Sequence, residues 1–263
     1  MYDINEFVAL LEKFAPLELS QKMIDLGCYD NSGLLIKCND KVSKVLFSLD
    51  LSKETVKKAK RLKCDTIVTH HPAIYGGLKE LSFDGQSAEI VDAVKSNINV
   101  ISFHLNLDIA ETGIDNKLAL GLGASKYQIL NYATDKHGYG RQFEVKDKTF
   151  GEFILDAKKT FGTNKIVAYG NKKQKIYTVA SFCGGGASDV EKLICKNGLL
   201  SDVVVTSDMP HHVIKLLIEN GKKILLLPHY ASENFGFKCF YDWVKEKLNG
   251  QIETEYFLDK RFM

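Results

Sequence analysis

The stretch Asp65-Thr66-Ile67-Val68-Thr69-His70-His71-Pro72 has a counterpart in the second half of the chain, Asp202-Val203-Val204-Val205-Thr206-Ser207-Asp208-Met209-Pro210-His211-His212. Each passes from an acid through a short apolar, β-branched run to a threonine, then breaks into polar residues and a proline. That is the pattern of a buried strand leaving a sheet at its edge. Working outward, the same order of elements recurs around both. In the first half, a strand from Val45 to Leu49 leads through Ser52 into a helix ending near Leu62. Then come the strand Thr66 to Thr69, a helix at about Ala88 to Lys95, and a strand from Val100 to Phe103. In the second, a strand from Ile176 to Phe182 leads through a glycine loop into a helix around Val190 to Cys195. The strand Val203 to Thr206, a helix after Pro210, and a strand from Ile224 to Leu227 follow. A further echo pairs Phe103-His104-x-x-x-Asp108 with Pro228-His229-x-x-x-Glu233. Strands alternating with helices predict an α/β fold. The repeat predicts two related α/β domains with largely parallel or mixed sheets.

The flanks fit this frame. Asp3 with Glu6 reads as a capping box ahead of an apolar stripe at helical spacing (Ile4, Phe7, Val8, Leu10, Leu11, Phe14) that ends at Pro16. A polar stretch from about Lys126 to Lys148 separates the halves, and Thr149 with Glu152 caps the next helix. The boundary is placed near 125, giving domains 1–125 and 126–263. The segment from about 224 is expected to return His229 and Glu233 to a site shared with the first half.

Composition narrows the function. The 263 residues are 45% hydrophobic and 26% charged, which excludes a disordered chain. Thirty-five Lys and Arg against thirty-three Asp and Glu leave a net charge of +2, which gives no support to phosphate-driven nucleic-acid binding. No apolar run approaches the length needed to cross a bilayer, and the first residues do not form a signal peptide, so a cytoplasmic protein is expected. The six cysteines lack a C-x-x-C pair and read as reduced thiols.

Of seven histidines, His137 falls in the polar stretch. His70, His71, His104, His211, His212 and His229 all follow predicted strands, at the sheet edge where α/β proteins bind ligands. Adjacent His70 and His71 point to opposite sides of an extended chain and can serve two ions. His104 with Asp108, and His229 with Glu233, share one face of a helical turn at i, i+4 spacing. Imidazoles with carboxylates suit zinc, iron or manganese, and a bridging carboxylate holds two cations roughly 3.5 to 4 Å apart. The expected ligands of two divalent ions are therefore His70, His71, Asp108, His229 and Glu233. His104 is a candidate ligand or proton-transfer group and is taken as the catalytic residue. His211 and His212, near a helix start, are as readily solvated or capping residues. The loop Cys183-Gly184-Gly185-Gly186-Ala187-Ser188 reads as a tight turn or a phosphate cradle, with Ser188 and Glu191 as a capping box and Cys183 as a buried thiol.

The blocks Asp30-Asn31-Ser32-Gly33-Leu34, Thr69-His70-His71-Pro72 to Leu78-Lys79, His104-Leu105-Asn106-Leu107-Asp108, Cys183-Gly184-Gly185-Gly186 and His229-Tyr230-Ala231-Ser232-Glu233 resemble the NIF-three-like dinuclear-metal proteins. That family is also labelled GTP cyclohydrolase 1 type 2 homologs. The resemblance covers nearly the whole chain in block order. It implies two related α/β domains, a toroidal homohexamer, and a two-metal site with Glu233 as bridge. Ser207 and Pro228 depart from the family's usual small residues without removing a donor, and there is no room for the domain some relatives insert between the halves. The activity implied is metal-dependent hydrolysis of a small phosphorylated or nucleotide substrate, GTP by the family label. The alternative is a non-catalytic metal-binding, storage or interaction protein forming a ring.

Overall fold

The computed structural model describes residues 1–196 and 201–263. The chain divides into a unit of Met1–Ala110 with Phe237–Asp259, and a unit of Glu111–Gly236 with Lys260–Met263. The first contains β1 (Tyr2–Asp3), α1 (Ile4–Glu12), α2 (Glu18–Asp25), β2 (Gly33–Ile36), β3 (Lys41–Val42) and β4 (Lys44–Ser48). It continues with α3 (Lys53–Leu62), β5 (Thr66–Thr69), α4 (Ala88–Lys95), β6 (Asn99–Ser102) and α5 (Leu105–Ile109). The second contains α6 (Ile114–Gly121), β7 (Gln128–Tyr132), β8 (Gly138–Thr149), α7 (Phe150–Phe161) and β9 (Val167–Tyr169). After these come β10 (Lys175–Ser181), α8 (Ala187–Cys195), β11 (Val203–Thr206), α9 (His211–Glu219) and β12 (Lys223–Leu226). Helix α10 (His229–Leu248) starts in the second unit and ends in the first, where β13 (Glu253–Phe257) follows.

The first sheet has the order β13-β4-β5-β6-β2, with β13, β4, β5 and β6 parallel and β2 antiparallel at the edge. Its register sets Ser48 beside Thr69 and Thr69 beside Ser102. Strands β4, β5 and β6 thus end level, and the residues that follow them emerge together at one edge. One face packs Leu46, Ile67 and Val100 against Val56 and Ala59 of α3 and Ile90 and Ala93 of α4. On another cluster, Phe47 meets Phe237, Phe240 and Tyr241 of α10 at ring separations of 6.3, 6.1 and 5.2 Å. Truncating a fully buried ring of this kind costs about 3–5 kcal/mol.

The second sheet has the order β7-β8-β10-β11-β12-β9, in which β10, β11 and β12 are parallel and the other strands antiparallel. The order β4-β5-β6 is therefore matched by β10-β11-β12, as the repeat predicts. Here too the strands end within one residue of each other: Ser181 pairs with Val205, and Thr206 with Leu226. The unit division falls ahead of the polar stretch because α6 packs on β8 and β10. Both capping boxes, Asp3 with Glu6 and Thr149 with Glu152, are formed. The one expected at Ser188 is not. Helix α8 begins at Ala187 with Gly186 as its cap and no side-chain hydrogen bond there. Gly186, packed against Phe182 and donating its amide to Thr206 Oγ1, starts the helix ahead of Ser188.

Candidate metal centre

Level strand ends place donors from separate segments side by side in the first unit. His70, fully buried, follows β5 directly. Its Nδ1 lies 2.8 Å from the carbonyl of Phe103, one residue past β6. A carbonyl only accepts, so Nδ1 carries the proton and Nε2 presents a lone pair, 3.6 Å from Asp108 Oδ1. His71 Nδ1 is 2.6 Å from Oδ1 of Asp50, two residues past β4. His104 Nδ1 is 2.7 Å from Oδ1 of Asp30, and its backbone amide donates to Ser32 Oγ at 3.1 Å. Burial alone would raise the Asp30 carboxyl, but hydrogen bonds from His104, Ser20 and Ser32 and the His104 charge outweigh it and hold it below the usual range. The imidazole of His70 stands 4.9 Å from that of His71 and 5.2 Å from that of His104. Each of the three offers a ligand atom, all within 4.8 Å of one another, so this group could hold a metal ion. Asp108 is on α5, one turn after His104, and is 4% exposed.

In the second unit the donors come from the first turn of α10. His229 Nε2 lies 3.0 Å from Glu233 Oε1, at the expected i, i+4 spacing. His229 Nδ1 lies 2.5 Å from Asp208 Oδ2, two residues past β11. Glu233 is 3% exposed. Against it stands Gly184, whose φ of +54° suits glycine. A Cβ there would come within 2.3 Å of Glu233 Oε1 and 3.2 Å of His229 Nε2.

The glycine loop is thus a close-approach device. Its amides are taken up inside the fold: Cys183 N donates to Asp115 Oδ1 at 3.1 Å, Gly184 N to Ser232 Oγ at 3.3 Å, and Gly186 N to Thr206 Oγ1 at 3.0 Å. That leaves little of a phosphate cradle and favours the tight-turn reading. Cys183 is buried, as expected. Beneath the loop, Asp115 also accepts from Gly140 N and from the buried Arg141 guanidinium, each at 2.9 Å. Burial pushes the Asp115 carboxyl up to about 6, against the opposing pull of Arg141 and of the Cys183 and Gly140 amides.

His211 and His212 are exposed on the first turn of α9, with His212 3.9 Å from Glu191, and neither belongs to a ligand group among the described residues. His137 pairs with Thr134 in a turn. Sequence reasoning missed Asp50, Asp208 and the role of Asp30, the carboxylates that orient the imidazoles. The level strand ends are the signal that finds the first two.

Strand ends carrying oriented imidazoles and buried carboxylates define an α/β protein with residue groups that could hold a metal ion. The chain belongs to the Duf34/NIF3 (NGG1p interacting factor 3) family, whose model matches residues 2–261. A Clostridium perfringens protein named GTP cyclohydrolase 1 type 2 homolog is 28% identical over 258 residues, covering 95% of this chain and 94% of its own. Among solved structures, a hypothetical protein of Staphylococcus aureus superposes with a TM-score of 0.84 at 24% identity, over 98% of this chain and 96% of the other. A Bacillus cereus protein related to NIF3 gives 0.84 at 19% identity, over 98% of both. At these identities the two structures show the fold alone. No helix among the described residues is long and apolar enough to cross a membrane.

Proposed function

We propose that the protein binds two divalent cations, zinc, iron or manganese, through His70, His71, Asp108, His229 and Glu233, and hydrolyses a small phosphorylated or nucleotide substrate. The observation that carries this reading is the shared treatment of four imidazoles. His70, His71, His104 and His229 each have Nδ1 held by an acceptor of the chain itself, at 2.8, 2.6, 2.7 and 2.5 Å. That is the arrangement that orients histidine ligands and fixes their tautomer. The donor chemistry fits as well, since Asp108 and Glu233 are carboxylates buried to 4% and 3% exposure, where a cation offsets the cost of an anion.

When bound, the cations supply Lewis acidity toward water or a substrate oxygen near neutral pH. The chain's own groups do the rest. Asp50, Asp208 and the Phe103 carbonyl keep Nε2 of their histidines available. Asp30 holds the Nδ1 proton of His104, leaving His104 Nε2 to take or give a proton as the substrate bond breaks. Gly184 leaves the space that Glu233 occupies. The name shared by the curated relatives makes GTP the first substrate to test, the family resemblance supports a toroidal homohexamer, and the sequence reading favours the cytoplasm.

Metal analysis of protein purified without chelator is expected to give close to two transition-metal ions per chain, and Glu233→Ala to lose at least one. Zero or one ion in the wild type contradicts the site. Incubating the loaded protein with a nucleotide panel tests catalysis. A new product, absent with Glu233→Ala, supports the hydrolase, and silence across the panel favours metal storage or assembly.

A further inference from the structure

Beside the histidines of the first unit stands an exposed aromatic pair. The rings of Tyr29 and Tyr75 meet edge to face at 4.6 Å and 78°, yet the two residues are 48% and 61% exposed. Tyr75 also meets the imidazole of His104 at 6.4 Å and 88°. The pair is held in place. Gly76 N donates to Tyr29 Oη at 2.8 Å, and Asn31 Nδ2 donates to the Ile74 carbonyl at 2.7 Å, so the loop that carries Tyr75 is pinned on both sides of it. The turn that does the pinning also contains Asp30 and Ser32, which fix the ring and the backbone of His104. One short segment therefore sets both the proton-transfer imidazole and an exposed aromatic surface next to it. Exposed aromatic rings held beside a reactive centre are suited to stacking a flat ligand, because π faces attract one another offset or edge-on.

We propose that Tyr75, backed by Tyr29, is the platform on which a planar heteroaromatic ring of the nucleobase class stacks, setting a small substrate next to His104. The inference rests on the hydrolase reading above and specifies its substrate class. Lysine or arginine side chains would grip phosphate alone; a pinned tyrosine pair selects for the ring. The near-neutral charge of the chain favours a free small molecule over a nucleic-acid strand as the source of that ring.

The test measures binding of guanosine, ribose 5-phosphate and a short single-stranded DNA to the metal-loaded full-length protein, in the wild type, Tyr75→Phe and Tyr75→Ala. Guanosine affinity is expected to fall roughly tenfold in Tyr75→Ala, the scale of one lost base-aromatic stack, and to persist in Tyr75→Phe. Ribose 5-phosphate binding and metal content stay unchanged in all three, and the DNA strand binds no tighter than guanosine. Unchanged guanosine affinity in Tyr75→Ala overturns the platform, as does an equal loss for ribose 5-phosphate. A shift in oligomeric state with Tyr75→Ala overturns it too, because the ring would then be covered by a second copy of the chain. Tighter binding of the DNA strand overturns the small-molecule source. A wild type without metal is a different failure, one that sinks the hydrolase reading itself.

Discussion

The edge formed by β4, β5 and β6 and the edge formed by β10, β11 and β12 are built on the same strand order and carry different chemistry. After the middle strand of the first come two imidazoles, His70 and His71. At the matching place in the second stand Ser207 and Asp208. Both of these are engaged with neighbouring groups: Ser207 N donates to Gly184 O at 3.0 Å, Ser207 Oγ to Ser232 Oγ at 2.9 Å, and Asp208 holds His229. Past the third strand, both edges keep an imidazole with a carboxylate four residues on, His104 with Asp108 and His229 with Glu233. The repeat has thus kept one donor pair per unit and divided labour on the middle strand. In the proposed site, one copy supplies nitrogen there, and the other braces the residues beside it. Bracing needs close packing, which is why glycine matters at Gly184.

That division is broken most directly at the glycine. Gly184→Ala puts a Cβ 2.3 Å from Glu233 Oε1 on a left-handed backbone. Strain and overpacking together are expected to cost about 2–4 kcal/mol in urea unfolding and to lower the metal content. Gly185, with nothing within 4 Å of a built Cβ, is the control, and Gly185→Ala is expected to change neither quantity. Wild-type stability and metal content in Gly184→Ala would remove the bracing role from the second edge.

A smaller effect sharpens the comparison between the edges. Asp50 and Asp208 do the same work on His71 and His229, but their side chains are 39% and 71% exposed. Removing the carboxylate behind a metal-bound histidine typically weakens the metal by about 10- to 100-fold. Asp50→Ala is expected at the upper end of that range and Asp208→Ala at the lower, because water competes more for the exposed carboxylate. Chelator-competition titration reads both, and the reverse order would show that exposure does not grade the two tethers.

The fold was readable in the sequence because the repeat states it twice, and each copy disambiguates the other. The clustering of His70, His71 and His104, and of His229 with Glu233, was readable because strand ends and i, i+4 spacing are local. The tethering carboxylates were not, since Asp50 is 21 residues from His71 and Asp30 is 74 from His104, and only sheet register or a returning turn joins them. Arg141 shows the same limit. It was read within a polar stretch, yet it is buried at 1% exposure on Asp115, a pairing that needs α6 against β8. The Ser188 cap failed for the opposite reason. A local motif gave way to a helix start at Gly186, whose amide donates to Thr206 Oγ1 and whose Cβ position is taken up by Phe182.

The least disruptive test falls on the histidines that the second copy carries at its own surface. Sequence similarity to His70-His71 makes His211-His212 an apparent second ligand pair, whereas the fold sets both on the exposed first turn of α9, with His212 68% exposed at its side chain. Surface substitutions away from caps and networks stay within about 0.5 kcal/mol. His211→Ala combined with His212→Ala is therefore expected to leave metal content unchanged and stability within that limit, while His70→Ala combined with His71→Ala loses metal. Ion loss from the α9 pair would mean that the second edge has kept its nitrogen donors after all. The division of labour between the two copies would then have to be redrawn around α9.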